Sequence, residues 1–172
     1  MMARLGFRRF SDMIGRADLI DVRRAVSHWK AKGLDFSRLL HLPPARPGVA
    51  THQCEAQDHG LAKALDHELI RQAGPALEAG RPVRIEVVIR NHNRSFGAML
   101  SGRVAERYGH AGLPDDTIVI GAQGTAGQSF GAWLAKGVTV DLQGEANDYV
   151  GKGLSGGRIV VRPPATSALA RA

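Results

Sequence analysis

Apolar residues in the C-terminal half of the chain recur on a 20-residue step, in short runs. Residues 118–120 (Ile-Val-Ile) are followed by residues 138–140 (Val-Thr-Val), and the last position of each run is followed by Val160. Short β-branched runs favour strands, and glycine-rich polar runs favour turns. A fixed period of this length predicts a solenoid whose units stack. Glycines keep the same step at Gly124, Gly131 and Gly137, followed by Gly144, Gly151 and Gly157.

The repeat extends towards the N terminus with one longer step. Residues 95–100 (Ser-Phe-Gly-Ala-Met-Leu) match residues 129–134 (Ser-Phe-Gly-Ala-Trp-Leu). The extra residues of this step, expected at 103–116, contain a predicted short helix over 104–108 that ends at Gly109. The predicted rungs are therefore 82–116, 117–137 and 138–157, with a fourth that begins at Arg158.

One column of the repeat contains Asn93, Gly127 and Asn147, the residue types that most readily adopt positive φ. We therefore expect this column to turn the chain sharply at each level. Strands of successive rungs then stack in parallel about 4.8 Å apart. This predicts a mainly β fold, a single-stranded β-helix, rather than a βαβ sheet. The residues expected to shape the repeat are Asn93, Gly97, Gly124, Gly127, Gly131, Gly144, Asn147 and Gly151.

The residues that precede the repeat have helical character. Residues 1–41 interleave apolar and basic positions in the way amphipathic helical turns do, with Ser11 a candidate N-cap and Gly33 a candidate stop. Prolines at three of the five positions 43–47 predict an extended linker.

A second helix is predicted over residues 58–73, where Leu61, Leu65 and Leu69 form one stripe. Gly80 is expected to end a short helix that follows it, and an alternating strand is expected over 83–87. The predicted organisation is a helical segment with a proline-rich linker (1–48), a helical lead-in (49–81), the β-helix (82–164) and a tail (165–172).

Composition and charge narrow the function classes. Of the 172 residues, 44% are hydrophobic and only 5% aromatic, which suits an aliphatic core. The net charge is +7 and residues 1–32 supply most of it, but their basic side chains alternate with apolar ones. This favours a docked or interface segment over nucleic-acid binding. No apolar stretch approaches the roughly 20 residues that span a bilayer, and the first residues lack the hydrophobic core of a signal peptide. We therefore expect no membrane contact and a cytoplasmic location.

Candidate catalytic or metal-binding residues are few. His52, Cys54, His59 and His67 come nearest to a metal set, but their spacing matches no paired zinc pattern, and solvated or capping roles are the simpler interpretation. Because Cys54 is the only cysteine, no disulfide or thiolate-held cluster forms within the chain. A surface or structural thiol is a simpler interpretation of Cys54 than a nucleophile paired with a histidine. We expect no catalytic, cofactor-binding or metal site here.

Residues 151–156 (Gly-Lys-Gly-Leu-Ser-Gly) fit the G-x-G-x-x-G pattern. That pattern binds a dinucleotide when it follows a strand and opens a helix. Here the next residues, 158–161 (Arg-Ile-Val-Val), predict a strand. The match is therefore interpreted as a by-product of the glycine repeat.

Several unusual runs of residues point to one family. They are 28–35 (His-Trp-Lys-Ala-Lys-Gly-Leu-Asp), 57–61 (Gln-Asp-His-Gly-Leu), 112–116 (Gly-Leu-Pro-Asp-Asp), 127–132 (Gly-Gln-Ser-Phe-Gly-Ala) and 146–157 (Ala-Asn-Asp-Tyr-Val-Gly-Lys-Gly-Leu-Ser-Gly-Gly). Together they resemble the C-terminal region of the large (alpha) subunit of glutamate synthase, over about residues 3–164.

The resemblance implies a right-handed β-helix with a G-xx-G-xxx-G repeat, seen here as Gly124, Gly127 and Gly131. It implies a structural domain packed between a glutaminase domain and an FMN-binding synthase domain. The family makes two glutamates from glutamine and 2-oxoglutarate, with electrons from NADPH or ferredoxin. Its nucleophilic cysteine, FMN and iron–sulfur cluster belong to the other domains, so none of these is expected in this chain.

Two alternatives remain open. One is a stand-alone β-helix assembly module of another oxidoreductase complex, similar to the related β-helix of formylmethanofuran dehydrogenase. The other is an independent metal-dependent enzyme that uses His52, Cys54 and His59. In the glutamate synthase family the solenoid continues beyond the position of Pro163 and Pro164, so we expect this end to stack against a continuation or a partner.

Overall fold

The structure is a computed structural model that describes residues 1–44, 46–164 and 167. The chain divides into two compact units, Met1–Asp58 and His59–Ala172. Apart from Ser167, the predicted tail over 165–172 lies outside the described residues.

The first unit consists mostly of short 3-10 turns, with no long helix among its described residues. It contains one four-residue α-helix, α1 (Arg23–Val26), and 3-10 turns at Met2–Leu5, Phe10–Asp12, Ala17–Leu19 and Trp29–Ala31. The helical turns predicted for this segment are present only as short pieces, and Ser11 is not an N-cap, since it lies inside a 3-10 turn. The physical reason is that Gly6 and Gly15 adopt positive φ (77° and 79°) and interrupt any longer helix.

Gly33 does end a turn, as expected, with φ 94° just beyond Trp29–Ala31. Within this unit three aspartates bind an arginine two or three residues away, at 2.8–3.1 Å. These local ion pairs are exposed, so each contributes little to stability. The pairs are Arg9–Asp12, Arg16–Asp18 and Arg23–Asp21.

The second unit opens with a 3-10 turn, Leu61–Lys63, followed by α2 (Asp66–Gln72) and α3 (Gly74–Ala79). The predicted helix over 58–73 is therefore too long at its start, because Gly60 adopts positive φ and breaks the stripe. Leu69 is fully buried, whereas Leu61 remains exposed. Gly80 ends α3 in the left-handed conformation, as predicted.

A four-stranded parallel sheet follows, built from β1 (Val83–Ile89), β2 (Ile118–Ala126), β3 (Val138–Ala146) and β4 (Arg158–Arg162). The strands lie in sequence order, each paired with the next. The predicted parallel stacking of strands is confirmed. The 20-residue step is also confirmed between β2 and β3, where Ile118 lies opposite Val138 and Gly124 opposite Gly144.

The last level departs from the step by one residue. Val140 lies opposite Ile159, not opposite Val160 as predicted. Because successive side chains on a strand point to opposite faces, this shift exchanges the two residues between the faces of the sheet. Ile159 packs against the core, and Val160 is 40% exposed. The turn between β3 and β4 is one residue shorter than strict repetition requires, so strand pairing decides the register.

Between β1 and β2 the chain forms α4 (Ala98–Tyr108) and a 3-10 turn, Gly109–Ala111. The predicted helix over 104–108 is present, but α4 starts six residues earlier, inside the run that matches 129–134. Leu100 and Val104 of α4 are fully buried against the sheet's apolar side chains. Within the described residues, no helix combines the length and apolarity needed to cross a bilayer.

The core is arranged in columns that run from level to level. The rings of Phe96 and Phe130 stack with centroids 5.5 Å apart, and both are buried. Leu100 and Leu134 are buried in the next column. The sheet contributes Ile85, Ile89, Ile118, Ile120, Val138, Val140 and Leu142 to the same core.

Candidate functional site

Three parts of the second unit carry its polar chemistry: a buried carboxylate, the turn columns and the outer face of the sheet. Asp66 begins α2 and is only 4% exposed. Its carboxylate accepts backbone N–H bonds from Gly97 (3.0 Å), Met99 (2.9 Å) and Leu100 (3.2 Å). These are donors at the N-terminus of α4, which has no other side-chain cap. Asp66 therefore fixes α2 to α4.

Burial raises the pKa of Asp66 above its ordinary value, while the three backbone donors act in the opposite direction. Its oxygens are engaged by those donors, which suits a structural role better than proton transfer. Sequence patterns missed this residue because it caps a helix more than 30 positions away. An aspartate at the start of a helical stripe signals only a cap of its own helix.

The predicted turning column is wrong in its mechanism. Asn93, Gly127 and Asn147 are absent from the positive-φ positions of the described chain. Gly127 is required for space instead, since a Cβ there would lie 2.8 Å from the carbonyl oxygen of Asn93. The side chain of Asn93 accepts the backbone N–H of Arg90 at 2.8 Å, and that of Asn147 donates to Asn91 Oδ1 at 3.0 Å.

The chain turns two and four residues further on. Positive φ occurs at Ser95, Ser129 and Tyr149 (50°, 62° and 60°), and again at Gly97, Gly131 and Gly151 (86°, 67° and 64°). Backbone bonds join the levels here: Ser95 N–H donates to Gln128 and Ser129 N–H to Asp148, both at 2.9 Å. The glycines predicted to shape the repeat at 97, 131 and 151 thus lie where the backbone reverses.

The outer face of the sheet holds a shallow cavity of about 420 Å³ lined by charged side chains. Arg162 donates two hydrogen bonds to Asp141, at 2.8 and 2.9 Å. Thr139 donates to Asp116 at 2.7 Å, and Arg158 pairs with the same carboxylate. The hydrogen bonds from Arg162 hold the pKa of Asp141 below its ordinary value, and those from Thr139 and Arg158 do so for Asp116. These contacts join β4 to earlier levels of the sheet, and in each ion pair the charges of the arginine and the aspartate cancel.

The predicted metal candidates are divided between the two units. Cys54 is exposed and, with His52, belongs to the first unit, whereas His59 and His67 belong to the second. His67 Nε2 lies 3.0 Å from the carbonyl oxygen of Leu61. In the part of the chain that the structure describes, no three His, Cys, Asp or Glu side chains are grouped so as to hold a metal ion.

The G-x-G-x-x-G run at 151–156 forms turns that lead into β4 and begins no helix. It therefore lacks the helix N-terminus on which a pyrophosphate binds in the dinucleotide pattern. Nearby, Lys152 Nζ lies 5.1 Å from the ring centroid of Tyr149, a cation–π contact at the surface.

The amino-acid sequence of this chain matches a known protein family. The family model described as the GXGXG motif matches residues 66–172. Glutamate synthase [NADH] of Schizosaccharomyces pombe is 49% identical over 170 residues, which are 97% of this chain and 8% of that protein. The glutamate synthase [NADPH] large chain of Bacillus subtilis is 47% identical over 163 residues, which are 94% of this chain and 10% of that protein.

A third relative, ferredoxin-dependent glutamate synthase 2 of Synechocystis, is 37% identical over 177 residues, covering 95% of this chain and 10% of that protein. The chain thus spans only 8–10% of the length of these relatives. The family model, by contrast, covers more than half of the chain. The chain therefore belongs to the GXGXG motif family and corresponds to the region of the glutamate synthase large chain that carries this motif.

Proposed function

We propose that this chain is a structural domain of a glutamate synthase, with no catalytic site of its own. The proposal rests on the exposure of apolar side chains at the last level of the core, the level of β4. Phe96 and Phe130 are buried, but the next member of their column, Val150, is 43% exposed. In the second column, Leu100 and Leu134 are buried and Leu154 is 48% exposed. A surface of this kind is typical of one that packs against another protein segment.

We call this surface the end face, defined by Val150, Leu154 and Val161. Val161 lies opposite the buried Leu142 and is 45% exposed. All three residues follow buried residues at the preceding level. The end face is thus the next layer of a continuous core, which favours an apolar neighbour over water.

We also propose that the parallel strands form a right-handed β-helix. Backbone hydrogen bonds between turns support it, because they repeat from level to level outside the sheet. Gly131 N–H donates to Phe96 at 3.0 Å, and Gly151 N–H donates to Phe130 at 2.8 Å. The resemblance implies the right hand, and the preference of parallel-strand crossovers for that hand supports it.

The partners in this proposal are the glutaminase domain and the FMN-binding synthase domain, in the same chain or in another. Their reaction makes two glutamates from glutamine and 2-oxoglutarate in the cytoplasm. The iron–sulfur cluster is assigned to those domains, since Cys54 is the only thiolate source here and such clusters take four cysteines. FMN is assigned to the synthase domain. The relatives reported above are glutamate synthases, which favours this function over a formylmethanofuran dehydrogenase-like module.

Co-purification tests the proposal. The tagged chain is co-expressed with the glutaminase and synthase domains, and the eluate is assayed for both proteins and for FMN. We expect both domains to co-elute with the wild-type chain and with Val88→Asp, whose residue is exposed on β1. Leu154→Asp is expected to abolish co-elution because it places a charge in the end face. If the wild-type chain elutes as a folded monomer without either domain, although both are present in the same cells, the result contradicts the proposal.

A further inference from the structure

A cleft of about 290 Å³ lies between two segments of the second unit. One wall is the stretch from His59 to Asp66, and the other is the loop from His92 to Phe96. Each wall presents one permanent cation and one imidazole to the cleft. Lys63 and His59 come from the first wall, and Arg94 and His92 from the second.

In the part of the chain that the structure describes, the cations of this cleft have no acidic partner. The ion pairs of the second unit join Arg71, Arg103, Arg158 and Arg162 to other carboxylates. Among the described residues, the side chain of Lys63 makes no ion pair or hydrogen bond, and the guanidinium of Arg94 donates to the neutral amide oxygen of Gln128 and to no carboxylate.

The one carboxylate in the cleft is already engaged. Asp66 is buried and accepts three backbone N–H groups from the start of α4. Its oxygens are therefore occupied by backbone donors, and neither Lys63 nor Arg94 forms an ion pair with it, although it lies in the lining. The cleft also includes Leu65, half-buried, and the buried Phe96, which offer an apolar floor to an aliphatic stem.

We propose that this cleft docks an acidic segment of a partner protein, with carboxylate side chains bound by Lys63 and Arg94. Two cations on opposite walls attract carboxylates and set their position. Both cations are exposed, as at the rim of a protein interface, whereas small-molecule sites bury most of the ligand. The relatives extend far beyond the 8–10% of their length that this chain matches, so further protein surface is available to fill the cleft.

The proposal goes beyond the proposed function, because it requires an acidic segment and no particular enzyme. Its test therefore uses the full chain alone. The probe is a hexaglutamate peptide with blocked ends, and the matched probe is a hexaglutamine peptide. Binding is followed by amide chemical shifts, which locate the site. We expect hexaglutamate to shift amides of residues 59–66 and 92–96, and hexaglutamine to shift none.

Charge variants separate this cleft from the general basicity of the chain. Arg94→Glu and Lys63→Glu are each expected to weaken hexaglutamate binding about tenfold, a typical consequence of reversing one interface charge. Arg81→Glu is the matched control, since Arg81 is exposed and lies outside the cleft; its dissociation constant should stay within about twofold of wild type. Lys63→Gln keeps the test valid if a reversal disturbs folding, because Lys63 makes no side-chain bond in the described residues.

Two results would overturn the proposal. One is hexaglutamate binding that Lys63→Glu and Arg94→Glu leave unchanged, or that shifts amides elsewhere in the chain. The other comes from citrate, the small-anion probe. If citrate shifts the same amides at lower concentration than hexaglutamate, the cleft takes a free anion rather than an acidic protein segment.

Discussion

Gly144→Ala tests the close approach of the strands, which underlies the repeat. Gly144 lies opposite Gly124 in the pairing of β3 with β2. A Cβ at Gly144 would lie 2.8 Å from the carbonyl carbon of Gly124 and nearer still to its oxygen. Carbon atoms pack best at about 3.5–4.0 Å. The strands would therefore have to separate by about 1 Å at this level, which stretches the neighbouring hydrogen bonds.

The magnitude follows from these two effects. Overpacking at a tightly packed position costs about 1–3 kcal/mol, and each backbone hydrogen bond weakened at the same level costs about 1 kcal/mol. We expect Gly144→Ala to lower the free energy of unfolding by about 3 kcal/mol. For a chain of 172 residues that corresponds to a fall in melting temperature of roughly 6–12 °C.

Gly102→Ala is the matched control, and we expect it to raise the free energy of unfolding rather than lower it. Gly102 is exposed within α4, and a Cβ there would meet no atom within 4 Å. Alanine is favoured over glycine inside a helix by about 1 kcal/mol. Urea unfolding followed by circular dichroism measures both variants. If Gly144→Ala unfolds within about 0.5 kcal/mol of wild type, the strands do not approach as described.

Three further predictions concern the cap, the register and β4. Asp66→Ala should cost about 2 kcal/mol or more in urea unfolding, because it leaves three backbone donors without their acceptor; a loss below about 0.5 kcal/mol would refute the cap. Ile159→Ala should lower the free energy of unfolding by about 2 kcal/mol, and Val160→Ala by less than about 0.5 kcal/mol. The reverse order would show that Val160, as the strict 20-residue step requires, is the residue that enters the core. The pKa of Asp141 is lowered by Arg162, so this pair stabilises the fold above the unfolded value near 4 and the stability is lost as pH falls through the folded value. The difference in unfolding free energy between wild type and Asp141→Asn should therefore shrink below about pH 4, and a difference that grows on acidification would contradict it.

The strands were predictable because apolar periodicity reports burial directly. Ile118 and Val138 occupy the same position in adjacent strands, and both are buried. The last register was not predictable, since the glycines keep a 20-residue step while pairing follows the length of the turn. Only the paired structure shows that Ile159, rather than Val160, enters the core.

The turn columns and the cap show a second limit of sequence patterns. A glycine at position 127 predicted positive φ, whereas the structure requires glycine there because a side chain would clash with a neighbouring carbonyl. Either requirement selects glycine, so the sequence alone does not distinguish them. Asp66 binds a helix that is distant in sequence, so no local pattern marks it. The cleft with Lys63 and Arg94 depends on the same tertiary contact, which brings residues 59–66 beside 92–96.

In the proposed function, the end face is an interior surface of an assembled glutamate synthase. Hydrogen exchange of β4 and residues 147–157 tests it most directly, in the chain alone and after assembly with the glutaminase and synthase domains. We predict fast exchange of these amides in the isolated chain and strong protection after assembly, while β2 is protected in both. Equal exchange of β4 in the two states would show that these domains do not cover the end face.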